Sequence, residues 1–143
     1  MYQILITSLI AGLIAQLSKL LVKSNNLKFS WRSIFSYAGL PSSHAAFVAS
    51  LATVIGLSQG FSSPLFAVCF IFGLLVIRDA LGIRRYLGQH GEIINILVKD
   101  LKTDKMLDET YPRLLEKIGH TPAQIIAGLL IGVFIALASY YIF

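Results

Sequence analysis

Four apolar stretches divide the chain, and the polar residues gather between only some of them. The first stretch runs from about residue 2 to 22 and the last from about 122 to 143. Each is long enough for the roughly 20 helical residues that cross a bilayer core. Between them lie 43 to 57 and 64 to 77, which at roughly 15 residues are marginal spans alone. Their polar ends are expected to sink toward membrane depth, where neighbouring helices shield them. Small residues at Gly12, Ala15, Ala45, Ala49, Ala52, Gly73, Ala127, Gly128 and Gly132 permit close helix packing, and "GLLIG" at 128 to 132 has small-xxx-small spacing that reads as ordinary packing.

The segment 82 to 118 is the one long polar stretch. Leu87, Ile94, Leu97, Val98 and Leu101 recur near helical spacing, which predicts an amphipathic helix, a polar break around 102 to 110 and a short second helix. Such a connector can lie along the headgroups or cover the bundle. Repeats and low-complexity segments are absent from the sequence.

Composition fixes the solvent. Of 143 residues, 56% are hydrophobic and 13% charged, with a mean hydropathy of +0.75, whereas soluble chains carry about 25% charged residues. The expected fold is all-α: one integral-membrane domain over 1–143, a polytopic bundle of about four transmembrane helices with an amphipathic cytoplasmic connector. Cys69 is the single cysteine, so an intrachain disulfide is excluded.

A formal charge of +5 changes the picture only through its distribution. All twelve Lys and Arg residues fall within 19 to 42 and 78 to 121, segments that share one membrane face if the four helices alternate in direction. The positive-inside rule makes that face cytoplasmic, with both termini outside. The first stretch lacks a basic start and reads as a retained helix rather than a cleaved signal. The charge therefore speaks for topology across a membrane and against a nucleic-acid partner.

That same face receives the candidate chemistry. The end of the first helix brings Lys19 and Lys23, the start of the second Ser42, Ser43 and His44, the end of the third Arg78, Asp79, Arg84 and Arg85, and the start of the fourth His120. Arg and Lys neutralise phosphate oxygens, and the N–H groups at helix starts such as "PSSH" and "GHTP" favour an anion. Two histidines can divide nucleophilic attack and proton donation between them without a metal or other cofactor. Blander roles compete: Ser42 as a helix cap, the histidines as interfacial residues, the arginines as headgroup anchors, and Asp79 with Arg78 as a simple ion pair.

Taken together, "GLPSSHAA", "RDALGIRR" and "GHTPAQIIAG" resemble, in order and spacing, the divergent branch of the type-2 phosphatidic acid phosphatase and vanadium haloperoxidase superfamily, whose usual motifs are P-S-G-H and S-R-x5-H-x3-D. The resemblance implies a lipid phosphate phosphatase acting on a phosphomonoester or pyrophosphate headgroup. It implies His120 as the nucleophile forming a phosphohistidine, His44 as the acid, and Ser42, Ser43, Arg84 and Arg85 around the phosphate. The aspartate expected four residues after the nucleophile is Gln124, and Asp79 is a candidate for the missing charge. The first motif, K-x6-R-P, is absent, with Lys19 or Lys23 as its stand-in. "RRYLGQH" at 84 to 90 offers a second alignment with His90 as nucleophile, although position 94 is Ile. The expected partners are a lipid phosphate substrate and membrane lipids, with self-association left open. The alternative is a non-catalytic phospholipid-binding or transporting protein that keeps the phosphate site.

Overall fold

Each helix begins and ends where its local chemistry requires. The structure, a computed structural model, describes residues 2–22, 25, 38–103, 113–116 and 118–142. Among these the regular elements are helices: α1 (Tyr2–Ser18), α2 (Ser43–Gln59), α3 (Pro64–Leu81), α4 (Ile83–Thr103) and α5 (Pro122–Ile142). The hydroxyl of Ser42 caps α2 by accepting the Ala45 N–H at 3.4 Å. Gly60, at φ +90°, turns the chain out of α2 while its N–H meets the Gly56 carbonyl at 3.0 Å. Ser63 then caps α3, with Pro64 in the first turn, where a missing N–H costs nothing.

Helix α2 lies at the centre and packs against α1, α3 and α5, while α1 also meets α5. The closest approach is at "GLLIG". A Cβ at Gly128 would overlap the Ser42 carbonyl oxygen, and one at Gly132 the Ala46 carbonyl oxygen, so the two glycines let α5 rest directly on the α2 backbone. The small-xxx-small pair thus serves packing within the chain. At the far end of α1, Thr7 Oγ1 and Ser139 Oγ lie 2.6 Å apart and Gln3 donates to the Ser139 carbonyl at 3.2 Å, joining α1 to α5.

Large apolar side chains point outward. Leu65, Val68, Ile71, Phe72 and Leu75 on α3, with Ile126, Leu130 and Phe134 on α5, are exposed. The buried core consists largely of small residues such as Ala11, Ala15, Ala45, Ala46 and Ala136. Among the described residues, two helical stretches are long and apolar enough to cross a membrane: Pro64–Leu101, which joins α3 to α4 across Gly82, and Pro122–Ile142, with mean hydropathies of 2.2 and 2.3. Only 11% and 22% of those apolar windows are buried. A core helix of a soluble protein would show the opposite, and an outward apolar surface of this extent suits lipid.

Two expectations about the elements are corrected. The first apolar helix stops at Ser18 rather than near residue 22, because the chain tightens there: the Leu20 and Leu21 N–H groups bond Leu17 and Ser18 carbonyls at 3.0 Å, and Asn25 Nδ2 takes the Lys19 carbonyl at 2.8 Å. The described part of the expected second connector helix, 113–116, is irregular. There the side chain of Asn95 accepts the Leu114 N–H and donates to the Leu114 carbonyl, each at 2.9 Å, satisfying groups that a helix would have paired internally. The first connector helix, by contrast, forms as α4 over the expected apolar spacing.

Candidate functional site

Four chain segments meet at one end of the bundle. The end of α1 supplies Lys19, the first turn of α2 supplies Ser43 and His44, the start of α4 supplies Arg84, and the segment before α5 supplies His120. They line a cavity of about 620 Å³. Its other walls include Gln16 and the apolar residues Leu9, Leu13 and Phe47.

Local hydrogen bonds hold these segments in register. Asn25 donates to the Lys19 and Leu40 carbonyls, both at 2.8 Å, and accepts the Leu40 N–H at 2.9 Å, so one side-chain amide clamps the end of α1 to the approach to α2. The Ser42 N–H donates to the Gln124 carbonyl at 2.9 Å, joining the starts of α2 and α5. The His120 N–H donates to the Ala80 carbonyl at 3.1 Å, fixing the approach to α5 against the end of α3. Every backbone segment carrying a cavity histidine is thereby tied to a second element.

Within the cavity the side chains differ sharply. Lys19 is 4% exposed, and its Nζ donates to Ser43 Oγ at 3.4 Å. Burial lowers this ammonium to about 8. His120 is 5% exposed, and neither Nδ1 nor Nε2 has a hydrogen-bond partner. Burial first, then the charges of Lys19, His44 and Arg84, push this imidazole down to about 4, so it is neutral at pH 7 with a lone pair available. Both ring nitrogens are thus unpaired beside the buried ammonium of Lys19 and the partly exposed guanidinium of Arg84, and a buried polar group without a partner costs about 1–3 kcal/mol. His44 is exposed. Arg84 Nε donates to Asp79 Oδ2, both groups being partly exposed.

The other candidates lie elsewhere. Ser42 is fully buried and occupied as the α2 cap, outside the cavity wall. Arg85 faces a separate polar cavity of about 320 Å³, together with Gln89, Glu92, Glu116, Thr121 and Gln124. Asp79 meets Arg84 and does not line the main cavity. His90 is exposed on α4 away from that cavity, and Arg78 is exposed in the last turn of α3. Lys23 lies outside the described residues. Among the described residues, no three His, Cys, Asp or Glu side chains gather closely enough to hold a metal ion.

Two contributors, Gln16 and Asn25, were not singled out from the sequence. Gln16 is one helical turn before Lys19 and is a polar residue in an apolar helix, a signal that spacing could have raised. Asn25 carries no comparable local signal. Gln124, at the position where the resemblance expects an aspartate, is engaged in a capping box: in "TPAQ" Gln124 Oε1 accepts the Thr121 N–H at 2.9 Å while Thr121 Oγ1 accepts the Gln124 N–H at 3.4 Å.

The family model described as "Divergent PAP2 family" matches residues 1–135. The chain is also 34% identical over 149 residues to the uncharacterized membrane protein YuiD of Bacillus subtilis (strain 168), covering 97% of this chain and 94% of that one. No solved structure matches the chain.

Proposed function

The chain belongs to the Divergent PAP2 family, and on that premise we propose that it is a membrane lipid phosphate phosphatase working through a phosphohistidine. The observation that carries this reading is His120: buried, unpaired at both ring nitrogens, and facing a cavity lined by Lys19, Ser43, His44 and Arg84. In the proposed reaction Lys19 and Arg84 hold the phosphate oxygens. A ring nitrogen of His120 attacks phosphorus as the ester P–O bond breaks, and His44 gives its proton to the departing oxygen. Water then loses a proton to His44 and attacks the phosphohistidine, releasing inorganic phosphate and restoring both histidines. Ser43 adds a hydroxyl at the phosphate, and Asp79 acts through Arg84 by holding the guanidinium at the cavity edge.

The segregation of all twelve basic residues to 19–42 and 78–121 supports a multi-pass protein of the bacterial inner membrane with this cavity at the cytoplasmic face. A cysteine introduced at Ser62 is then labelled from outside the cell by an impermeant reagent, and one at Lys99 is not; the reverse pattern overturns the orientation.

A second reading, a phospholipid-binding protein without turnover, draws support from Gln124. The residue at the family's aspartate position is engaged in a capping box and leaves the His120 ring without an orienting carboxylate. Phosphate release from purified protein separates the two readings. Phosphatidic acid, phosphatidylglycerophosphate and polyprenyl phosphates and diphosphates would be assayed with and without chelator, alongside His120→Ala. Release that survives chelator and vanishes in the variant is expected; binding of vanadate with no release from any lipid supports the second reading.

A further inference from the structure

The cavity is polar at one end only. Along α1 and the turn that ends it, Leu9, Gly12, Leu13, Gln16 and Lys19 follow one another near helical spacing on the side that lines it. From Lys19 to Leu9 that face extends about 15 Å, at 1.5 Å per residue. The opposite wall is α2, where Ser43 and His44 stand level with the polar end and Phe47 lies one turn deeper. The two helices come close at Gly12, where an added Cβ would stand 3.1 Å from Phe47 Cδ2. Absence of a side chain at residue 12 therefore keeps the apolar part of the cavity open past the phenyl ring.

Resting on the lipid phosphate reading above, we propose that the α1–α2 groove from Lys19 to Leu9 receives one hydrocarbon chain of the lipid, with Gly12 and Phe47 setting how long a chain it accommodates. Charge complementarity fixes the direction. A phosphate at Lys19, Arg84 and His120 leaves its chain only the Gln16–Leu13–Leu9 side of the cavity to follow. Volume sets the number of chains. With each methylene taking up about as much space as one water in the liquid, roughly 30 Å³, a twelve-carbon chain and a phosphate fit within the cavity's 620 Å³. Two such chains would need roughly 720 Å³ on the same scale before any phosphate is added. A diacyl lipid thus leaves its second chain in the bilayer, and a single-chain phosphate lies along a groove that stays open at Leu9 and Leu13.

The test uses a probe that cannot be hydrolysed: dodecylphosphonate carrying a diazirine near its tenth carbon, photolysed with the full-length protein in phosphatidylcholine vesicles. Mass spectrometry is expected to place the label on the 9–13 segment of α1 and around Phe47, displaced by excess unlabelled dodecylphosphonate. Label spread evenly over the outward faces of α3 and α5, or unaffected by competitor, overturns the groove. As a second measurement, Gly12→Leu is expected to lower the preference for dodecylphosphonate over butylphosphonate about tenfold, because the added side chain meets Phe47; an unchanged ratio overturns the role of Gly12. Hydrolysis of an aryl phosphate is measured in parallel. Its absence alongside groove labelling refutes turnover and leaves the groove standing, whereas hydrolysis without groove labelling does the reverse.

Discussion

The starts of α2 and α5 are built from the same ingredients and do different things with them. Each has a hydroxyl cap, a histidine close to that cap and a run of small residues behind it. At α2 the histidine follows the cap, so His44 projects from the first helical turn and is exposed. At α5 the histidine precedes the cap, so His120 sits on the approaching segment, held by its N–H to the Ala80 carbonyl and buried against Lys19, His44 and Arg84. A shift of a few residues relative to the cap gives one imidazole that exchanges protons with solvent and another kept neutral and dry. That asymmetry suits a proton donor and a nucleophile, and it can be broken one group at a time.

The largest effect is expected from His120→Ala, which removes turnover for lipid phosphates and for an aryl phosphate with a good leaving group alike, since neither can form the covalent intermediate. His44→Ala should slow lipid phosphate hydrolysis by about 10²–10⁴-fold while the aryl phosphate is largely rescued, because its leaving group does not need the proton. Steady-state rates of both variants on both substrates check the pair; the opposite pattern exchanges the two roles, and His90→Ala alone abolishing both moves the nucleophile to α4.

Arg84→Ala should cost about 10²–10³-fold, comparable to losing a preorganised donor to the transition state. Arg85→Ala, at the neighbouring polar cavity, should cost far less, and equal losses would undo the distinction between the two arginines. The pH profile of kcat/KM for the aryl phosphate, whose leaving group does not need the His44 proton, sharpens the electrostatic side. His120 must be neutral to attack, so activity falls as pH drops through about 4. Lys19 must be charged to hold phosphate, so activity falls as pH rises through about 8. Lys19→Arg, whose guanidinium keeps its proton, should remove the alkaline limb, with His44 and Arg84 still facing the site.

The smallest effect is structural. Gln124→Ala breaks the capping box of α5 and should lower stability by about 1 kcal/mol, read as a fall in Tm. A loss of turnover as large as that of His44→Ala would instead give Gln124 a direct part in the chemistry.

Much of this protein was decided by local sequence. Apolar runs with hydroxyl caps, a proline at the start of α3 and a glycine after α2 specify helices wherever they occur, because capping and solvent exclusion act within a few residues. The amphipathic spacing of α4 and the motif order from "PSSH" to "GHTP" were legible for the same reason, as was the gathering of helix ends by alternation. Tertiary structure decided the rest. Whether Arg84 or Arg85 faces the cavity depends on how α4 is rotated against the 118–120 segment, and neighbouring residues on a helix point in different directions. Ser42 is spent as the cap of its own helix, and Ser43 comes to face Lys19 only because α1 packs on α2. Burial of His120, which sets its charge, is a property of four segments far apart in the chain, and only their packing creates it.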